Sequence, residues 1–181
     1  MSNGAKKGPP FERELCKLFS QWWDGRDDVF WRTSGSGARA TSRSRKGKKT
    51  KYEYGDMTFT DPVGKPLVDL ILWEFKRGYS KSIDMLALLD GRSSLLGKWI
   101  AKAEEDRRES DRKYVCLVLQ RDRKEKVLAI HSALLGWLEG QIGEFKGQSI
   151  RVSSFPLEFI LLKDFLTWCN RQAVEEIWNS L

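Results

Sequence analysis

The stretch PLVDLILWEFKRG, residues 66–78, alternates like a half-buried strand and then departs from its own pattern. Counted with a strand's period of two, Leu70, Leu72, Glu74 and Lys76 share one face, and Asp69, Ile71, Trp73 and Phe75 share the other. Glu74 and Lys76 therefore stand together at the C-terminal end, where a buried strand would carry apolar side chains. Asp69 faces away from them. By itself the pair is also what a strand end running out into solvent would show. The neighbouring elements give it a second meaning.

Just before it, DMTFT (56–60) and the turn DPVGK (61–65) read as the first arm of a hairpin, which sets Asp56 at the opening of the strand beside Glu74. Asp and Glu carboxylates converging at a strand edge make an oxygen site for a hard divalent cation such as Mg²⁺. A lysine beside them can orient a water or offset negative charge growing on a phosphate. The bland reading of Asp56 is a turn residue following Gly55.

The rest of the chain surrounds this pair with helices and strands. Pro9 and Pro10 suit a helix start, and Phe11, Leu15, Leu18, Phe19 and Trp22 recur at helical spacing, so a first helix is expected over residues 10–23. Glu12 and Glu14 flank its apolar stripe from opposite sides, and periodicity does not choose between them. VFWRTS (29–34) reads as a strand before the turn SGSG, with Arg32 at its end, suited to bidentate contact with a phosphate. A helix is expected over 94–109, a strand covered on both faces at YVCLVLQ (114–120), and another strand at KVLAIH (126–131). The tail reads as a short helix over 133–142, strands at 150–153 and 157–162, and a last helix over 163–179. This order argues for a mixed α/β sheet with helices on its faces, in a single domain of 181 residues.

Composition narrows the chemistry. The net charge is +7 and the pI about 9.4, which favours a polyanionic partner, nucleic acid ahead of an anionic membrane. Residues 38–54, ARATSRSRKGKKTKYEY, carry seven basic residues against one acid, Glu53, and have no aliphatic side chain larger than alanine, so a flexible basic loop is expected there. The N-terminus has no apolar signal segment, and no apolar run approaches the roughly 20 residues of a membrane span. Cys16, Cys116 and Cys169 are odd in number and sit in apolar patterns, which reads as buried free thiols in a reducing cytoplasm. His131 is the only histidine, which removes Ser-His-Asp catalysis and multi-imidazole metal sites. The chemistry has to run on carboxylates, lysine and arginine.

Taken in order, KGPPFERELCKLF, VFWRTSGSG, GDM and LILWEFKRG resemble the PD-(D/E)XK nuclease superfamily. Within it they look most like the archaeal-type Holliday junction resolvases, which phages also encode. The resemblance covers about residues 6–131 and leaves 132–181 as a C-terminal extension. There a helix bearing Trp168 and Trp178 would cover the sheet or build a dimer interface. It implies a restriction-endonuclease-like core in the order α-β-β-β-α-β. It matches the active-site glutamate of the family's helix to Glu12, with Arg13 beside it, and the arginine before a small-residue turn to Arg32, followed by Thr33, Ser34, Gly35 and Ser36. The metal-binding aspartate matches Asp56, and the E-x-K pair matches Glu74 and Lys76. Gly55 stands where the superfamily has its proline. The gap from Arg32 to Asp56 is longer than in these resolvases, by about the length of the basic loop, which leaves Asp61 as the alternative ligand.

The resemblance implies that Asp56, Glu74 and the backbone carbonyl of Phe75 bind Mg²⁺ (or Mn²⁺). Glu12 would help to hold a second metal or its water, and Lys76 would position the water that displaces the 3′ oxygen and leaves a 5′ phosphate. DNA would be held by Arg13, Arg32, Ser34 and Ser36. Arg39, Arg43, Arg45, Lys46, Lys48, Lys49 and Lys51 would neutralise backbone phosphates without sequence preference. The expected substrate is a four-way junction cut by a homodimer, and the expected place is the cytoplasm, that of the host for a phage protein. Two other readings stay open: a PD-(D/E)XK nuclease of another substrate class, restriction-like, repair or DNA-end processing, and a basic DNA-binding protein without catalysis.

Overall fold

The computed structural model describes residues 4–33, 51–78, 93–152 and 155–181, together with Ala87 and Asp90. Helix α1 (Gly4–Asp24) begins ahead of the proline pair, so that Pro9 and Pro10 lie inside it. Their missing amide donors leave the turn before them with fewer backbone bonds. Phe11, Leu15, Phe19 and Trp23 are buried on one side of this helix. The buried Ser20 hydroxyl donates to the Cys16 carbonyl at 2.8 Å and accepts from the Phe30 amide at 2.9 Å, which ties the helix to strand β1 (Phe30–Arg32). Strand β1 pairs antiparallel with β2 (Met57–Phe59), Arg32 standing opposite Met57.

The chain after β2 does not form the expected hairpin. Asp61 accepts from the Val63 amide at 2.9 Å and caps a 3₁₀ turn, Pro62–Gly64. A short helix α2 (Lys65–Leu70) follows, with Pro66 in its first turn. The prolines preset helical φ at both starts, and Leu67, Val68 and Leu70 are buried by helical geometry rather than by alternation. Strand β3 is thus only Ile71–Arg77. From Ile71 onward the two faces are as expected: Trp73 and Phe75 join the core on the α1 side, and Leu72 joins the opposite one.

Strand β3 is the edge of a five-stranded sheet in the order β3-β4-β5-β7-β6. It runs parallel to β4 (Tyr114–Gln120), with Ile71 opposite Tyr114 and Arg77 opposite Gln120. The connection carries α3 (Leu95–Glu109), capped by Ser94, whose hydroxyl accepts from the Gly97 amide at 3.0 Å. The other pairings are antiparallel, through β5 (Lys126–His131), β7 (Leu157–Leu161) and the far edge β6 (Ser149–Val152). Strand β4 is buried on both faces, as its unbroken apolar run requires. Cys116 and Val118 face the core formed with α1 and the C-terminal helices, and Val115 and Leu117 face the one formed with α3. The result is an α/β fold with a mixed sheet, as the PD-(D/E)XK resemblance implies.

Residues after His131 join this sheet. Helix α4 (Ser132–Ile142) is followed by β6 and β7. The single helix expected over 163–179 is two, α5 (Leu162–Trp168) and α6 (Arg171–Asn179), parted at Cys169. Asn170 stops the first and caps the second by accepting from the Ala173 amide at 2.9 Å, a local competition that apolar periodicity does not register. Helix α6 packs on α1, α2 and α4, and the Trp22 indole donates to the Cys169 carbonyl at 3.1 Å. The three cysteines are buried and free. Among the described residues no helix is long and apolar enough to cross a membrane.

Candidate active site

The exposed edge of β3 is where the β1–β2 ribbon attaches. Gly55 turns there with φ +77°, and the Asp56 amide donates to the Trp73 carbonyl at 2.7 Å. A Cβ on Gly55 would lie 2.8 Å from that same carbonyl oxygen. The position therefore needs a residue without a side chain and with access to positive φ. A proline, locked near −65°, cannot take this turn, which accounts for glycine at the place where the superfamily is named for proline.

The turn delivers Asp56 to the middle of the site. Its carboxylate Oδ2 accepts from the Phe75 amide at 2.7 Å and lies 3.5 Å from Lys76 Nζ. Lys76 Nζ also donates to Glu74 Oε2 at 2.5 Å. One ammonium thus joins two carboxylates, one from the ribbon and one from the edge strand. In an extended strand a residue's N–H and C=O point to the same edge. The Phe75 carbonyl therefore faces the side from which Asp56 approaches.

Electrostatics follow from this crowding. Burial, with the negative charge of Asp56 added, pushes the Glu74 carboxyl up to about 7, although Lys76 pulls the other way. Burial alone would lower the Lys76 ammonium, but Glu74 and Asp56 outweigh it and hold it above the ordinary lysine value. Among the described residues the two carboxylates share this one ammonium in a largely desolvated place, and the charge of Asp56 works against that of Glu74. A proton on Glu74 relieves this repulsion, and so does a hard cation taken by carboxylate oxygens. The donor set therefore fits Mg²⁺ or Mn²⁺. Among the described residues no group of three His, Cys, Asp or Glu side chains gathers into a complete metal cage.

Among the described residues, the others that the sequence raises lie apart from this chain of contacts. Glu12 accepts from Arg32 Nε at 2.8 Å and stands outside the Asp56–Lys76–Glu74 chain of contacts. The Cys16 thiol, one turn further along α1, is pushed up to about 12 by burial and by the charges of both Glu12 and Asp56. Glu14, which the helical wheel could not separate from Glu12, pairs instead with Lys126 at 2.9 Å and Arg77 at 3.5 Å. Asp61, the alternative ligand, is taken by its own turn and by Arg26 at 2.8 Å. Asp69 belongs to α2, where it accepts from the Tyr52 hydroxyl at 2.8 Å. Arg13 is exposed and lines an open groove together with Arg32. Ser34, Ser36, Arg39, Arg43, Arg45, Lys46, Lys48 and Lys49 lie outside the described residues, as does the side chain of Lys51, whose backbone opens a 3₁₀ turn (Lys51–Glu53).

Two residues bear on the site without a sequence signal strong enough to find them. Asp106 on α3 adds its charge to that of Asp56 in raising Glu74, and it pairs with Lys102 at 3.0 Å; in sequence the two look like an ordinary i,i+4 surface pair. Arg112, almost fully buried, donates from Nε to the Val68 carbonyl at 2.7 Å and from Nη1 to the Tyr54 carbonyl at 3.1 Å. It fastens the Asp56 turn to the helix that launches β3. Lying between α3 and β4, it reads in sequence as one more loop arginine.

Neither the curated proteins nor the solved structures gave a match to this chain. A family model did, over residues 3–178, and its description is "phage putative PDDEXK endonuclease". That span takes in the helix of Glu12, the ribbon, the edge strand and the C-terminal helices alike. The chain therefore belongs to this phage family of PD-(D/E)XK endonucleases, and it is a nuclease with DNA as its substrate.

Proposed function

We propose that the protein is a metal-dependent, structure-selective DNA endonuclease of the Holliday junction resolvase type. The observation that carries the reading is Lys76 Nζ held between Glu74 Oε2 at 2.5 Å and Asp56 Oδ2 at 3.5 Å at the join of the ribbon and the edge strand β3. Asp56, Glu74 and the Phe75 carbonyl are the atoms that would hold Mg²⁺ or Mn²⁺. Bound there, the cation would polarise a phosphate oxygen and lower the pKa of a water.

The protein's own groups do the rest. Lys76 stays protonated beside two carboxylates, so its ammonium orients the attacking water and offsets charge on the phosphate as it becomes five-coordinate. Attack in line breaks the bond from phosphorus to the 3′ oxygen and leaves a 5′ phosphate. Glu12 aligns Arg32 for a neighbouring phosphate; a share in a second metal's shell would require Arg32 to release it. Paired cuts across a junction need two such centres, so the reading includes a two-fold dimer. Sedimentation of the free protein at twice its 20.9 kDa is the expected result, and sedimentation at the single-chain mass would remove the dimer.

The test is cleavage of a labelled four-way junction in Mg²⁺, beside linear duplex and single strand. Symmetric paired nicks, lost on chelation and reduced on the order of 100-fold or more in Lys76→Ala and Asp56→Asn, are expected. Duplex cut as fast as the junction would reassign the substrate class, and unchanged rates in both variants would remove these residues from the chemistry.

A further inference from the structure

The ribbon that carries Asp56 also carries a large aromatic side chain that the fold leaves uncovered. Trp31 is 50% exposed, although its neighbour in β1, Phe30, is fully buried. It stands opposite Thr58 in the ribbon and forms a wall of an open groove of about 380 Å³. Arg13, Arg32, Thr33, Tyr52 and Thr58 are among the other lining residues. This volume suits a single small ligand, within the roughly 300–1,000 Å³ of such sites. The groove adjoins the candidate cutting centre directly, because the Thr33 amide donates to the Asp56 carbonyl at 3.2 Å.

We propose that this groove seats one unpaired nucleotide of the DNA substrate, with its base stacked on Trp31 and its phosphate held by Arg13 and Arg32. Inside a duplex both faces of a base are covered by its neighbours, so only an unpaired base can present one to an aromatic ring. Glu12 engages Arg32 through Nε, which leaves the Nη groups of the guanidinium for a phosphate oxygen. The Thr33 hydroxyl is buried and has no hydrogen-bond partner among the described residues, which adds a polar group at the groove wall. The chain leaves the groove at Thr33 and returns at Tyr52, and the sequence between them is the most basic of the molecule.

The inference rests on the endonuclease reading above and narrows its substrate to DNA with an unstacked nucleotide beside the scissile bond. Its test is kept apart from cutting by measuring equilibrium binding of the full chain in EDTA. The probes are three labelled duplexes: one with a single-nucleotide bulge, one with the same bulge made abasic, and one fully paired. Wild-type protein is expected to bind the base-bearing bulge about tenfold more tightly than the abasic one. Trp31→Ala should erase that difference while leaving the paired duplex unaffected, and Trp31→Phe should preserve most of it. Equal affinity of wild-type protein for the base-bearing and abasic bulges overturns the proposal, and that comparison needs no variant to fold. A loss in Trp31→Ala shared equally by the paired duplex also overturns it, because the groove would then be a general backbone contact. Base-dependent binding by a protein that never cuts in Mg²⁺ would defeat the endonuclease reading alone; metal-dependent cutting without base dependence would defeat this one alone.

Discussion

Gly55 and Glu74 show how closely single positions are bound to the geometry and charge of the candidate site. At Gly55 any side chain meets the Trp73 carbonyl at 2.8 Å and must also hold φ +77°. Gly55→Ala is therefore expected to cost about 1–2 kcal/mol from backbone conformation alone, with the close approach adding to it. Because Asp56 is the next residue, cleavage should fall more steeply than the melting temperature does; a variant that loses stability but keeps its rate would sever the turn from the site. Glu74 gives a pH signature in metal-free protein. Its carboxyl binds a proton more tightly folded, at about 7, than in the unfolded chain, at the ordinary glutamate value. Such a group favours the native state at low pH, and the contribution is lost as pH rises through about 7. With chelator present, wild-type protein should lose up to about 1.4 kcal/mol per pH unit across this window relative to Glu74→Gln. Thermal melts of the two proteins from about pH 5 to 8 check the sign, and parallel curves would count against it.

Between elements, the decisive join is the one made by Arg112. The ribbon turn at Tyr54 and the end of α2 at Val68 come from opposite sides of Asp56 in the chain, and a single buried guanidinium bonds a carbonyl in each. Burial pulls this arginine down to about 10, against the opposing pull of Asp69 and Tyr52, so the protein holds a charge there at a cost. Arg112→Met keeps the bulk of the stem but leaves both carbonyls without their donor, for an expected loss of about 2–3 kcal/mol in denaturant melts. If the residue positions Asp56, kcat should fall while DNA affinity holds, and Arg112→Lys should recover part of the rate because an amine can reach one carbonyl. A fall in affinity with kcat preserved would assign Arg112 to stability alone. Helix α2 shows at the same level why the alternation in residues 66–70 misleads. A one-and-a-half-turn helix and a short strand both bury apolar residues, and the two prolines at 62 and 66 tip the balance towards the helix.

For the whole molecule the governing quantity is charge. The sequence over residues 38–54 carries seven basic residues and one acid, which is most of the chain's net +7. Replacing Arg39, Arg43, Arg45, Lys46, Lys48 and Lys49 with serine should weaken binding to every duplex sequence alike. It should also flatten the dependence of log affinity on log salt by about 0.9 for each phosphate that the variant no longer neutralises. A salt slope unchanged by these substitutions would place the phosphate-binding residues elsewhere on the surface.

The residues of the opening stretch mark what was legible before any fold was known. From Ile71 onward, strand alternation alone assigns Glu74 and Lys76 to one face, because side-chain direction in a strand is fixed by local geometry. The unbroken apolar run at 114–120 likewise announces a strand covered on both sides, since only burial on both faces tolerates it. Periodicity leaves Glu12 and Glu14 equally open, and the preference for Glu12 comes from the resemblance alone. The joins were not legible. That Asp56 reaches β3, that Asp61 is spent on its own turn, that Glu12 is bound by Arg32, and that Arg112 fastens the turn to α2 all depend on contacts between residues far apart in the chain. Such contacts leave no period in the sequence, so the type of each chemical group is written locally, while its partner is settled only when the sheet edge, the ribbon and α1 close on one another.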